Sequence, residues 1–222
     1  MAKTDAIDAR MLALMGARLG PTVTPPPSRS AEALEELVRA RSRAVDERVA
    51  LANRREATVM PFLRAELARR TRALDGHIGR LETEIDRLIA ADPVIRAKHV
   101  IVRSIPGIGP VNAATLAAGF DELGRLDAKQ IAALVGLAPL ACDSGPKQGH
   151  RRIRGGRAHL RRPLYMAALS AIRFNPDLRH FHQRLKDKGK PPKVVITAVM
   201  RKLIVLANSL VAQNRTWTTL HT

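Results

Sequence analysis

The chain has 222 residues, 45% of them hydrophobic, enough for one or two packed domains, and this excludes a compositionally disordered protein. Lys and Arg number 38 against 20 Asp and Glu, and the net charge of +18 makes a nucleic acid the first partner to consider. The one cysteine, Cys142, excludes an intramolecular disulfide or a Cys-rich zinc site, and aromatics at 3% leave phosphate contact rather than base stacking to supply affinity.

The opening MAKTDAIDAR lacks an apolar signal core, so a cytoplasmic location is expected. Residues 1–19 read as an amphipathic helix through Ile7, Met11, Leu12, Leu14 and Met15. Asp5 and Asp8 stand three apart on one face of it, where they could share a hard cation, cap the helix or simply face solvent. A Pro-rich linker occupies 20–30. Over 31–91 nearly every residue favours helix, and Leu67, Leu74, Ile78, Leu81, Ile85 and Leu88 form a coiled-coil seam. Pro61 should break or kink the run into two arms, which fit a helical hairpin and a dimerisation arm equally well.

Residues 92–222 read as a compact helical domain with no convincing β period, so the fold class is all-α. In SIPGIGPVNAATLAAGF, Gly107 and Gly109 make a tight turn between a helix ending near Arg103 and one beginning near Pro110, as in a helix-hairpin-helix. Such a turn lets backbone N–H groups approach a DNA phosphate, and it also serves as a packing unit that touches only protein. Asp127-Ala-Lys-Gln130 is a capping box for a helix that closes at Gly136.

The loop CDSGPKQGHRRIRGGRAHLRR sets Ser144 just ahead of Lys147, Arg151, Arg152, Arg154 and Arg157. A serine that attacks a phosphodiester needs fixed cations to stabilise the extra negative charge of the transition state. A serine in a basic loop also serves as a phosphate hydrogen-bonder or a turn former, and the residues alone leave these alternatives open. Further on, a basic helix, the turn KGKPPK and the apolar stretch 194–211 read as core on one face and phosphate-facing Lys and Arg on the other. That stretch is interrupted by Arg201 and Lys202 and is expected to be a core helix, with no membrane partner. His180 and His182 stand two apart and do not share a helix face, which argues against a metal pair.

In series, KTDAIDA, PGIGPVNAATLAA, GLAP, the SG-K loop, RRPLYMAA, NPDLRHFHQRLKDKGKPPKVV and AVMRKLIVLANSL resemble the insertion-sequence transposases often called the one-ten family, over essentially the whole chain. The resemblance implies a RuvC-like nuclease domain with four metal-binding acids, Asp, Glu, Asp, Asp, then a helical coiled-coil region, then a domain with a serine nucleophile. It implies that Asp5 and Asp8 are the last two acids, holding Mg²⁺, and that Ser144 links covalently to DNA. An assembled homo-oligomer and a structured guide RNA would choose the sites. The first Asp and Glu have no counterpart here, so residues 1–19 read as the remnant of the nuclease domain. The expected function is the C-terminal portion of a DNA transposase, and the alternative is an inactive remnant acting only as a nucleic-acid-binding module.

Overall fold

A computed structural model describes residues 5–20, 26–140 and 152–218. The fold is helical apart from one pair of two-residue strands. The first helix, α1 (Asp5–Leu19), buries none of its residues, and Ile7, Met11, Leu12, Leu14 and Met15 are all exposed.

The long helical run divides where the proline requires. Helix α2 (Arg29–Ala57) opens on Ser28, whose hydroxyl accepts from the Ala31 N–H at 3.1 Å, and α3 (Pro61–Ala91) starts at Pro61 itself. A proline at the first helical position loses no hydrogen bond, so Pro61 begins the second helix instead of kinking one helix. The two helices pack antiparallel, with Arg41 bonded to Glu82 at 2.6 Å and Arg48 to Asp75 at 3.2 Å. Seam residues Leu67, Ile78 and Ile85 are buried within the chain. Of the two arrangements the sequence allows, the chain therefore forms the hairpin, and its tip exposes Val59, Met60, Phe62 and Leu63.

At its base the hairpin joins the body through Ala31, Leu34 and Val38 of α2 and Ile85 and Ile89 of α3. These meet Ile95 of α4 (Pro93–Arg103) and Ala114, Ala117 and Ala118 of α5 (Pro110–Gly119). The small alanines let α5 lie close against two neighbours at once. Asp92 caps α4 by accepting from the N–H groups of Val94 and Ile95. Between α4 and α5, His99 Nε2 lies 3.2 Å from the Pro110 carbonyl, tying the two helices together.

The second core gathers Phe120, Ile131 of α6 (Ala128–Leu134), Leu164 and Ala168 of α7 (Arg161–Phe174), Leu178 of α8 (Pro176–Asp187) and Leu203 and Ile204 of α9 (Pro192–Ala212). The capping box on α6 forms as read, with Asp127 accepting from Gln130 N–H at 2.7 Å while the Gln130 side chain accepts from Asp127 N–H at 2.9 Å. Although α9 is long and apolar enough to cross a membrane, its buried face is the spine of this core. Asn208, on that face, accepts from Gly124 N–H at 2.8 Å and donates to the Leu126 carbonyl at 2.7 Å, pinning the turn between α5 and α6 to α9.

One element was not read from the sequence. Strands β1 (Pro139–Leu140) and β2 (Arg152–Ile153) pair antiparallel, Pro139 opposite Ile153 and Leu140 opposite Arg152. A two-residue ladder is too short to leave a detectable period-2 pattern.

Candidate nucleic-acid interface

The β1–β2 pair matters because it is the stem from which residues 141–151 depart. Ser144, Lys147 and Arg151 lie in that stretch, outside the described residues; their tether is described. Behind the stem, the GLAP and RGG turns lock together. Gly136 has φ +72° and Gly156 φ +61°, both in the left-handed region that favours glycine. A Cβ on Gly156 would overlap the Gly136 nitrogen and meet the Leu134 carbonyl at 2.6 Å, and a Cβ on Gly136 would overlap the Gly155 carbonyl. The Arg157 N–H donates to the Leu134 carbonyl at 2.8 Å. The two backbones touch here, with the Arg161 guanidinium beside them donating to the Gly155 carbonyl at 2.6 Å, so the chain on either side of the serine loop returns to one point.

The basic residues around the stem divide by role. Arg154, just after β2, is exposed. Arg152 is paired through its backbone in β2. Arg157 is engaged within the fold: its guanidinium grips both Glu122 oxygens, at 2.9 and 2.7 Å, donates to the Gly119 carbonyl at 2.7 Å and lies 5.5 Å from the centre of the Phe120 ring. Burial, the largest single influence, would raise the Glu122 carboxyl, but Arg157 together with the residue's own backbone N–H and Lys98 holds the group below its usual value. Arg157 thus fastens the RGG segment to the end of α5, and Glu122 is a partner that nothing in the sequence spacing, 35 residues apart, would identify.

Gly107 and Gly109 fall in the turn between α4 and α5, at the opposite end of α5 from Arg157, about 15 Å away for a ten-residue helix. Gly107 has φ +100°, and a Cβ there would overlap the backbone of Ala171 in α7. Its bare face is used for helix packing. Gly109 caps the start of α5, and the space beside its Cα is open.

A cleft of about 620 Å³ opens between α2, α5 and the start of α7. Arg39, Arg43, Asn112, His159 and Arg162 line it. Arg162 pairs with Asp46 across it, and His159 Nε2 lies 3.4 Å from Glu35, which also accepts from Arg39 at 2.6 Å. The sequence reading missed this wall because α2 and α7 meet only through folding, 116 residues apart at the Arg162–Asp46 pair.

Burial, reinforced by Arg39, holds the His159 imidazole below its ordinary 6.5 despite Glu35. Burial likewise depresses His99, with the Pro110 carbonyl and Asp86 opposing and Arg103 assisting. Between the depressed folded value and 6.5 the unfolded chain binds more protons than the native one. Stability from both histidines should therefore be full above about pH 6.5 and be lost as pH falls below it. Urea unfolding at pH 7.5 and 5.5 should show the lower midpoint at pH 5.5, with a smaller difference in His99→Gln. Equal midpoints for the native chain would exclude the effect.

Asp5, exposed, and Asp8, half-buried, sit on the first turn of α1. Among the described residues no group of three His, Cys, Asp or Glu side chains gathers to hold a metal. Two carboxylates on one helix face suit the share of Mg²⁺ ligands a protein usually gives, the rest being water and phosphate oxygens. They would supply two oxygen ligands, and Mg²⁺ bound there would neutralise charge on phosphate oxygens.

This helical body, with its paired stem and basic surface, has relatives among known proteins. The description "Transposase IS116/IS110/IS902 family" matches residues 99–183, and a DEDD transposase description of the IS110 type matches residues 1–61. The pilin gene-inverting protein of Moraxella bovis is 30% identical over 218 residues, 96% of this chain and 67% of that protein. An uncharacterised 42 kDa protein of insertion element IS900 from Mycobacterium paratuberculosis is 32% identical over 142 residues, 62% of this chain and 34% of that protein. The uncharacterised 43.6 kDa protein of insertion element IS110 from Streptomyces coelicolor is 29% identical over 126 residues, 56% of this chain and 30% of that protein. The chain belongs to the IS110 family of insertion-element transposases.

Proposed function

We propose that this chain binds DNA and carries the serine-dependent strand-transfer step of an insertion-sequence transposase. In that step Ser144 Oγ attacks a DNA phosphorus, an Oγ–P ester forms as one P–O bond of the backbone breaks, the hydroxyl proton passes to solvent or a base, and the displaced oxygen leaves as a sugar hydroxyl. Lys147, Arg151, Arg152 and Arg154 would neutralise the phosphate oxygens as charge accumulates. Arg157 serves the same site by anchoring the segment that carries them. The helix-hairpin-helix reading of the turn at Gly107 and Gly109 leaves phosphate contact to the open Gly109 end. Asp5 and Asp8 would contribute to an Mg²⁺ site of the nuclease part of the same reaction.

The observation that carries the reading is the stem. In a member of this family, two glycine turns in backbone contact, with Arg161 bonded to one of them, hold the chain on either side of the serine-bearing loop together, beside an exposed arginine. Fixed ends reduce the entropy lost when the nucleophile is positioned. A structured guide RNA and assembly into a homo-oligomer belong to the same reading. The coiled-coil seam is used within the hairpin, so contacts between copies would fall to the exposed tip at Val59, Met60, Phe62 and Leu63. Residence in the cytoplasm follows from action on chromosomal DNA.

The test is to incubate the chain with end-labelled duplex carrying candidate element ends, stop with denaturant and resolve protein–DNA adducts on a denaturing gel. An adduct whose linked residue is Ser144, lost in Ser144→Ala with DNA affinity unchanged, is the expected result. Binding without an adduct under any metal condition would leave a nucleic-acid-binding module in place of a transposase.

A further inference from the structure

The positive charge is not spread evenly over the described surface. The α2–α3 hairpin has 13 Lys and Arg against 11 Asp and Glu over residues 29–91, and ion pairs lace its two helices together. From Arg179 to Lys202, by contrast, the chain carries eight Lys and Arg and one carboxylate, Asp187, which accepts from the Gln183 amide at 2.7 Å. Lys186, Lys188, Lys190 and Lys193 line the turn between α8 and α9, and all four are exposed. Beside them the Phe181 ring holds two cations, Lys202 at 4.5 Å and Arg184 at 5.5 Å from its centre. Collecting like charges on one edge raises the energy of the folded state, and a polyanion laid along that edge relieves it.

We infer that the α8–α9 hairpin is a docking surface for the sugar-phosphate backbone of duplex DNA, separate from the serine loop and indifferent to base sequence. The inference rests on the reading of the chain as a DNA-handling protein. Gly189 takes φ +67° to make the turn, and Pro191 and Pro192 fix the entry to α9. Lysine side chains on such a turn act as point charges that meet phosphates without the bidentate geometry by which arginine reads guanine. This surface sets affinity and salt dependence, and the serine loop sets chemistry.

The experiment compares the full chain with a variant carrying Lys186→Gln, Lys188→Gln, Lys190→Gln and Lys193→Gln. A four-fold Lys→Arg variant serves as the charge-retaining control, and equal thermal midpoints confirm that all three are folded. Fluorescence anisotropy with a labelled random-sequence duplex gives log Kd against log salt. Losing four phosphate contacts should lower the slope by about 3.6, so between about 50 and 200 mM salt the native chain should lose about 150-fold more affinity than the Gln variant. The Arg variant should keep the native slope. A native chain that binds while the Gln variant keeps its slope overturns this inference and leaves the proposed function standing. A native chain that binds no duplex overturns both. If the Gln variant loses binding to vesicles containing phosphatidylserine and keeps its DNA slope, the surface serves a membrane and the inference falls.

Discussion

Replacing Gly107 with alanine should destabilise the chain by about 3 kcal/mol or more, one of the largest effects available to the addition of a single methyl group. Two costs add. A residue with a Cβ at positive φ is strained by roughly 1 kcal/mol, and here φ is +100°. The new methyl would also overlap the Cα and N of Ala171, which are helix backbone and cannot rotate away. Overpacking of this kind costs about 1–3 kcal/mol when the neighbour must shift. Since α7 would have to move off the turn, the loss should appear as a fall in the urea midpoint without a change in slope. Gly109→Ala, where the space is open and φ is negative, should cost under about 1 kcal/mol. Equal effects at the two positions would mean that contact with α7 is not what Gly107 serves.

Gly156→Ala should act differently, opening the stem of the serine loop with a smaller effect on the whole fold. Its methyl would meet the Gly136 nitrogen and the Leu134 carbonyl, and the RGG turn is the exposed side of that contact. The cheapest relief is for the RGG segment to lift, breaking the Arg157 N–H bond to Leu134 and loosening the grip on Glu122. Hydrogen exchange at the Arg157 amide should rise by roughly 10-fold or more, the equivalent of about 1.4 kcal/mol of local protection. On the proposed function, adduct yield at Ser144 should fall while affinity at low salt persists. Unchanged exchange at the Arg157 amide would show that the glycine contact does not hold the stem.

The sequence announced its helices well, and the reasons are local. Pro61, Pro93, Pro110, Pro176 and Pro192 each stand in the first turn of a helix, and Ser28, Asp92, Asp127 and Asn175 each cap one. These signals act within three or four residues, which is the range a sequence displays directly. The choice between a hairpin and a dimerisation arm was not legible, since a seam reads the same whichever helix covers it. The candidate site was legible in its parts and not in its assembly. Ser144 and its arginines are visible as a motif, whereas the role of Arg157 depends on Glu122, and the cleft depends on α2 meeting α7. Contacts between residues far apart in the chain leave no period behind them. Gly107 illustrates the same limit, because a glycine in a turn looks alike whether a phosphate or a helix fills the space beside it.

The α2–α3 hairpin has a mechanical side. Its apolar attachment to the body ends near Val38, and beyond that, among the described residues, the ion pair toward the body is Arg162–Asp46, both of whose side chains are open to water. Ion pairs of that kind hold by less than about 1 kcal/mol each. From Val38 to Ala57 the helix runs roughly 29 Å at 1.5 Å per residue, so a tilt of about 10° at the base carries the tip through roughly 5 Å. The hairpin is in effect a lever on a weakly latched pivot. Anything that grips its tip works with mechanical advantage on the cleft at its foot.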